Sequence, residues 1–111
     1  MGSYSNKLAW ETMRTFDTAT LNNTYQTVGS ALLFPSYVLK MVNNSNVLVT
    51  VSINGSTDID VLPSNSFFLY DESTVDNPCP VAVPKGTQFF VKGSVAGVGL
   101  IYLVSQYIVE F

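Results

Sequence analysis

Asp58 and Asp60 stand two residues apart in STDIDVL, Asp71-Glu72 closes the run FFLYD, and Asp76 follows in the loop beyond it. Residues two apart share one face of a strand, so these acids have the types and spacing to hold Ca²⁺ or to act as the acid/base pair of a glycosidase, provided the two runs pair. The spacing is not that of an EF-hand loop, and acids beside a turn commonly serve as solvated ends or Asx caps. The sequence thus gives the carboxylates a structural reading alongside the chemical one.

Other chemistries find less material. The chain has no histidine, which removes Ser-His-Asp and Cys-His arrangements and histidine-based metal sites. Cys79, the only cysteine, lies between two prolines with no base nearby in sequence. It reads as a small buried thiol in a chain that folds in a reducing cytoplasm, with an intermolecular bridge as the alternative. The Gly93–Gly99 run GSVAGVG lacks the Gly-Lys-Ser/Thr ending of a phosphate loop and leads into a strand, so it reads as a hairpin turn. Neither a catalytic residue nor a cofactor or metal site is therefore expected. Six tyrosines, at 4, 25, 37, 70, 102 and 107, offer rings on which sugars could stack, although tyrosine in a sheet is also a common edge or interface residue.

Those residues must be positioned by a sheet. A chain of 111 residues makes one domain, and 47% hydrophobic content with only 12% charged residues leaves Ser, Thr and Asn to keep the surface wet. A net charge of −3 with five scattered bases provides no cluster for phosphates or anionic lipid, so neither nucleic acid nor membrane is expected as a partner. The opening residues show no apolar export signal, and no run of about 18 apolar residues spans a bilayer.

Strand signals recur from Thr24 onward. SYVLKMV and NVLVTVSI flank Asn43–Asn46 and read as a hairpin, with Val47, Val49, Val51 and Ile53 on one face. Asn54-Gly55 reads as a type I′ turn into DIDVL, whose partner is expected to be FFLYD after the Pro63–Ser66 bend. A short VAV, the turn Pro84-Lys85-Gly86, TQFFVKG and LIYLVSQYIVEF complete about eight short antiparallel strands. The final run is apolar on both faces, as a central strand or a subunit contact would be. The expected fold is all-β, a single jelly-roll-like or immunoglobulin-like sandwich over residues 24–111. Residues 1–23 read as an extended arm that lays aromatic anchors on its own sandwich or on a neighbouring subunit. On this division, a sandwich freed of residues 1–20 is expected to keep its cooperative melt while losing assembly.

Several segments carry a resemblance: YSNKLAWETMRTFD, VNNS, VSINGSTD, LPSNSFFLYD and PKGTQFFVKG. Together they make the chain similar to small structural proteins of tailed bacteriophages. The resemblance spans most of the chain and is one of strands and turns. It implies a non-enzymatic β-sandwich of the virion, made in the host cytoplasm. Such a protein decorates or cements the capsid, or adapts head-to-tail or tail components, as a homo-oligomer in contact with other virion proteins. It also implies that Trp10, Arg14, Phe16 and Asp17 belong to an arm that docks on a neighbour, and that Asp58, Asp60 and Pro84-Lys85-Gly86 lie in turns that fix the sandwich. A carbohydrate-binding module for host attachment, using loop tyrosines with Asp58 or Asp71, is the alternative.

Overall fold

The computed structural model describes residues 6–71 and 83–110. Cys79, Tyr4, Glu72, Asp76 and the run Val81-Ala82 lie outside the described residues, so the readings placed on them end with the sequence. The described chain is all-β, two antiparallel sheets packed face to face, as the alternation of apolar residues requires.

The larger sheet contains β1 (Asn6–Trp10), β2 (Arg14–Asp17), β4 (Val38–Ser45), β7 (Ser66–Asp71) and β9 (Gly99–Glu110). Its order is β1-β9-β4-β7, with β2 also on β9. The smaller sheet runs β3 (Gln26–Thr27), β8 (Phe90–Lys92), β5 (Val49–Ser52) and β6 (Asp60–Leu62) in the order β3-β8-β5-β6. Leu39 and Met41 of β4, Ile101 and Leu103 of β9, Val49 and Val51 of β5 and Val91 of β8 fill the space between the sheets. The apolar final run is central in the larger sheet, flanked by β4 on one side and by β1 and β2 on the other. β4 pairs with β9 only as far as Gln106, where pairing with β1 begins on the other side, so among the described residues β1 and the end of β9 form a two-stranded ribbon.

Three expected hairpins are instead crossings between the sheets. β4 and β5 do not pair: β4 lies between β9 and β7, and β5 lies between β8 and β6. The Pro63–Ser66 bend carries the chain from β6 in one sheet to β7 in the other, and the glycine-rich run carries it from β8 to β9. An alternating strand followed by a polar turn looks the same in sequence whether the chain folds back or crosses over. What differs is the fate of the broken ladder. Here buried polar side chains take it up. The fully buried Asn43 donates through Nδ2 to the carbonyls of Val47, Leu62 and Pro63 at 2.8, 2.9 and 3.1 Å, tying two crossings together. Asn46 binds the third crossing, accepting from the Val98 N–H at 2.8 Å while its own N–H reaches the Val98 carbonyl at 3.2 Å.

Gly99 makes that third crossing close. Its φ is +127°, and a Cβ there would overlap the Asn44 carbonyl oxygen, which is backbone and cannot swing away. Replacing Gly99 by alanine is expected to destabilise the protein by about 3 kcal/mol, read from urea unfolding midpoints.

The β5–β6 hairpin forms, with Val51 opposite Asp60, but its turn is not type I′. Gly55 takes a positive φ of 81°, whereas Asn54 does not. The Asn54 side chain instead accepts from the Ser56 and Thr57 N–H groups at 2.9 and 2.8 Å and organises a longer loop.

Residues 6–23 are part of the sandwich rather than an appendage to it. β2 extends the larger sheet along β9, and Phe16 and Leu21 belong to the core cluster. The sequence pattern was weak here because β2 is only four residues long and its inward residues are Arg14 and Phe16, a charge beside an aromatic.

Candidate assembly surface

The carboxylates fall into separate structural roles. Asp71 ends β7 on the larger sheet, and Asp60 begins β6 on the smaller one. The strand pairing that would have set them side by side is not made. Asp58 accepts a short hydrogen bond from the Tyr25 hydroxyl and an ion pair from Lys92 at 3.2 Å. Lys92 also lies 4.7 Å from the centre of the Tyr25 ring. These two hydrogen bonds, from Tyr25 first, hold the Asp58 carboxyl below its usual range. Partial desolvation and the bond to Asp58 push the Tyr25 phenol up to about 12. A carboxylate held ionised by a tyrosine and a lysine is a tie between the Tyr25 segment and β8, not a poised acid. Among the described residues, no three Asp, Glu, Cys or His side chains converge as a metal site would need.

The four residues assigned to a docking arm separate in the same way. Arg14 is buried, its Nη2 2.8 Å from Glu11 Oε1 and 2.9 Å from the Ala31 carbonyl, its Nε 2.6 Å from the Ser30 carbonyl. Its stem lies where a Cβ on Gly29 would sit, within 2.7 Å, and Gly29 has a φ of +63°. Phe16 is in the core. Asp17 caps the 3-10 turn Thr18–Thr20 by accepting from the Ala19 N–H at 2.9 Å. Only Trp10 of the four presents its ring to solvent, 63% exposed. Arg14, Phe16 and Asp17 are therefore used within the chain.

The buried Glu11–Arg14 pair was missed from the sequence, where nothing marks Glu11 as buried. Burial pushes the Glu11 carboxyl up, but the hydrogen bonds from Arg14 and from the Leu33 and Phe34 N–H groups, with the guanidinium charge, outweigh it and hold the carboxyl below its usual range. The folded protein therefore binds this proton less readily than the unfolded chain. Its stabilisation is complete above the unfolded carboxylate value of about 4.3 and is lost as pH falls through the lower folded value. Thermal melts from about pH 6 down to pH 2 are expected to show a steeper acid loss for the native chain than for Glu11→Gln, which starts lower and changes less.

The outer face of the larger sheet carries exposed apolar side chains that the fold leaves unused. Register places Phe67, Val42 and Tyr102 in one row across β7, β4 and β9, Leu69, Lys40 and Val104 in the next, and Val38 and Gln106 beside Trp10 in a third. Phe67 and Leu69 are 63% and 55% exposed, and the valines and Tyr102 are half-buried. With Trp10 this makes an apolar surface on the order of 500 Å², at the upper end of what a monomer exposes. Lys40 lies in its middle, and Asp71 stands opposite Val38 at the end of the third row. The sequence marks FFLYD as a strand but not its neighbours, so Phe67 and Leu69 look like ordinary strand residues there.

Between the two outermost strands, β6 and β7, lies a cavity of about 520 Å³ lined by Leu39, Ile53, Ile59, Phe68 and Phe89, with Asp60 at its margin. Of the tyrosine rings, Tyr107 has one face stacked on Phe34 at 4.0 Å between centroids, and Tyr25 has one face under Lys92.

Comparison with family profiles, with curated proteins and with solved structures found no match to this chain.

Proposed function

We propose that the protein is a non-enzymatic structural component of a tailed-phage virion, one that decorates or cements the capsid or adapts neighbouring components through symmetric assembly. The observation that carries the reading is the apolar outer face of the larger sheet, with Phe67, Leu69 and Trp10 exposed around a single lysine. Such a face is suited to dry contacts with other copies or with shell proteins, where many modest contacts act together. The titratable groups support the same reading, because Glu11, Arg14, Asp58, Tyr25 and Lys92 are all engaged in holding segments together. The resemblance of the strand and turn segments to phage structural proteins supplies the setting.

Cross-linking mass spectrometry on purified phage particles from the source of the chain tests this, using the Lys40 amine as a reporter on the proposed face. Links from Lys40 to a second chain are expected. Links from Lys40 confined to its own chain, in particles that contain the protein, would show that this face is not the contact.

A further inference from the structure

We infer that β7 is a self-pairing edge: two copies of the chain join their larger sheets by antiparallel β7–β7 addition about a two-fold axis through Phe68. The inference rests on the assembly reading above and gives it a contact. Among the described residues, β4 is the strand paired with β7, and its other side ends the sheet. Protected edges are short, charged, proline-bearing or bulged. β3 has two residues, β6 begins with Asp60 and β1 contains Lys7, whereas β7 runs Ser66-Phe67-Phe68-Leu69-Tyr70 with neither charge nor proline before Asp71.

The register follows from where the exposed apolar residues sit. A two-fold antiparallel pairing sets residues with a constant sum of numbers opposite each other. Centred on Phe68, it puts Phe67 of each copy against Leu69 of the other, the aromatic–aliphatic cross-strand contact that stabilises sheets. Both are exposed and on the same outer face, so each copy offers the other half of the pair. No like charges meet between Ser66 and Tyr70. Phe68, which faces inward and lines the cavity beside β6, meets its own copy at the axis. At the burial per residue of ordinary interfaces, five residues a side bury on the order of 400 Å² in total, a modest contact of the kind that works in many copies together. A second copy is favoured over a foreign strand because the pairing is complementary to itself in one register.

The register is tested by charge at positions 67 and 69, both on the surface. Sedimentation equilibrium at about 50 µM is expected to show the native chain as a dimer, and Phe67→Lys and Leu69→Glu each to weaken dimerisation at least tenfold while keeping a cooperative melt. Mixing the two variants places the introduced lysine of one copy against the introduced glutamate of the other, and the remaining Leu69 against the remaining Phe67, so a 1:1 heterodimer near native affinity is expected. The uncharged double variant Phe67→Ser with Leu69→Thr should be monomeric. A monomeric native chain, single variants that dimerise like the native chain, or a mixture that stays monomeric each overturns the inference. If the chain is found in virions yet is monomeric, the pairing fails and the assembly reading stands. If it dimerises as described yet is absent from virions, the reverse holds.

Discussion

Removing residues 1–20 is expected to abolish the cooperative thermal melt, the opposite of what an appended arm would do. The deletion takes away β1, β2 and the 3-10 turn, and with them Phe16 from the core. Losing a buried phenylalanine alone costs about 3–5 kcal/mol, against a total stability of about 5–15 kcal/mol for a domain of this kind. Two further losses come with it. Thr18 leaves, whose hydroxyl donates to the Gly99 carbonyl at 2.8 Å and whose carbonyl accepts from the Gly97 N–H at 3.0 Å, so the crossing into β9 loses its anchor. The side of β9 that β1 and β2 covered also becomes a bare edge in the middle of the most apolar strand. Calorimetry on the truncated chain should show no unfolding peak. A peak within a few degrees of the native one would mean that the first twenty residues lie outside the folding unit.

Arg14→Met is expected to be the most damaging single substitution, at about 3–5 kcal/mol, although methionine fills much of the same space. It strands the Glu11 carboxylate, whose side chain is 1% exposed, without its counter-charge and leaves the Ser30 and Ala31 carbonyls short of a donor. The damage has a signature. With the guanidinium gone, only the Leu33 and Phe34 N–H groups oppose burial and the Glu11 carboxyl rises, so the variant loses less stability than the native chain as pH falls through the carboxylate range. Combining it with Glu11→Gln, which removes the stranded charge and keeps an acceptor for one of the Leu33 and Phe34 N–H groups, should cost less than Arg14→Met alone. Denaturant midpoints of the two single variants and the double variant at neutral and acid pH check this. Additive losses would mean that the pair is not a unit.

The periodicity of two in Val47–Ile53 and the closely spaced turn signals, with low charge and abundant β-branched residues, were enough to read an all-β sandwich from the sequence. Connectivity was not legible in the same way. Asn43 looks like any turn asparagine until its amide is seen donating to carbonyls of two different crossings, and the proline and glycine of the other turns punctuate a crossing as they do a hairpin. The arm residues were assigned through the resemblance, but Arg14 is buried because Glu11 and two carbonyls satisfy it, and those carbonyls lie 16 and 17 residues away in the chain. Trp10 kept its exposed place. Phe67 and Leu69 were visible as residues and invisible as a surface, since their meaning depends on the neighbours across β4 and β9 and on β7 ending the sheet.

Assembly within a phage particle is the central claim, and counting copies of the chain in purified particles, by quantitative mass spectrometry against the major capsid protein, tests it most directly. The account predicts a fixed stoichiometry, either comparable with the capsid lattice, for decoration, or a small ring-like number, for an adaptor. Absence of the chain from intact particles would contradict it.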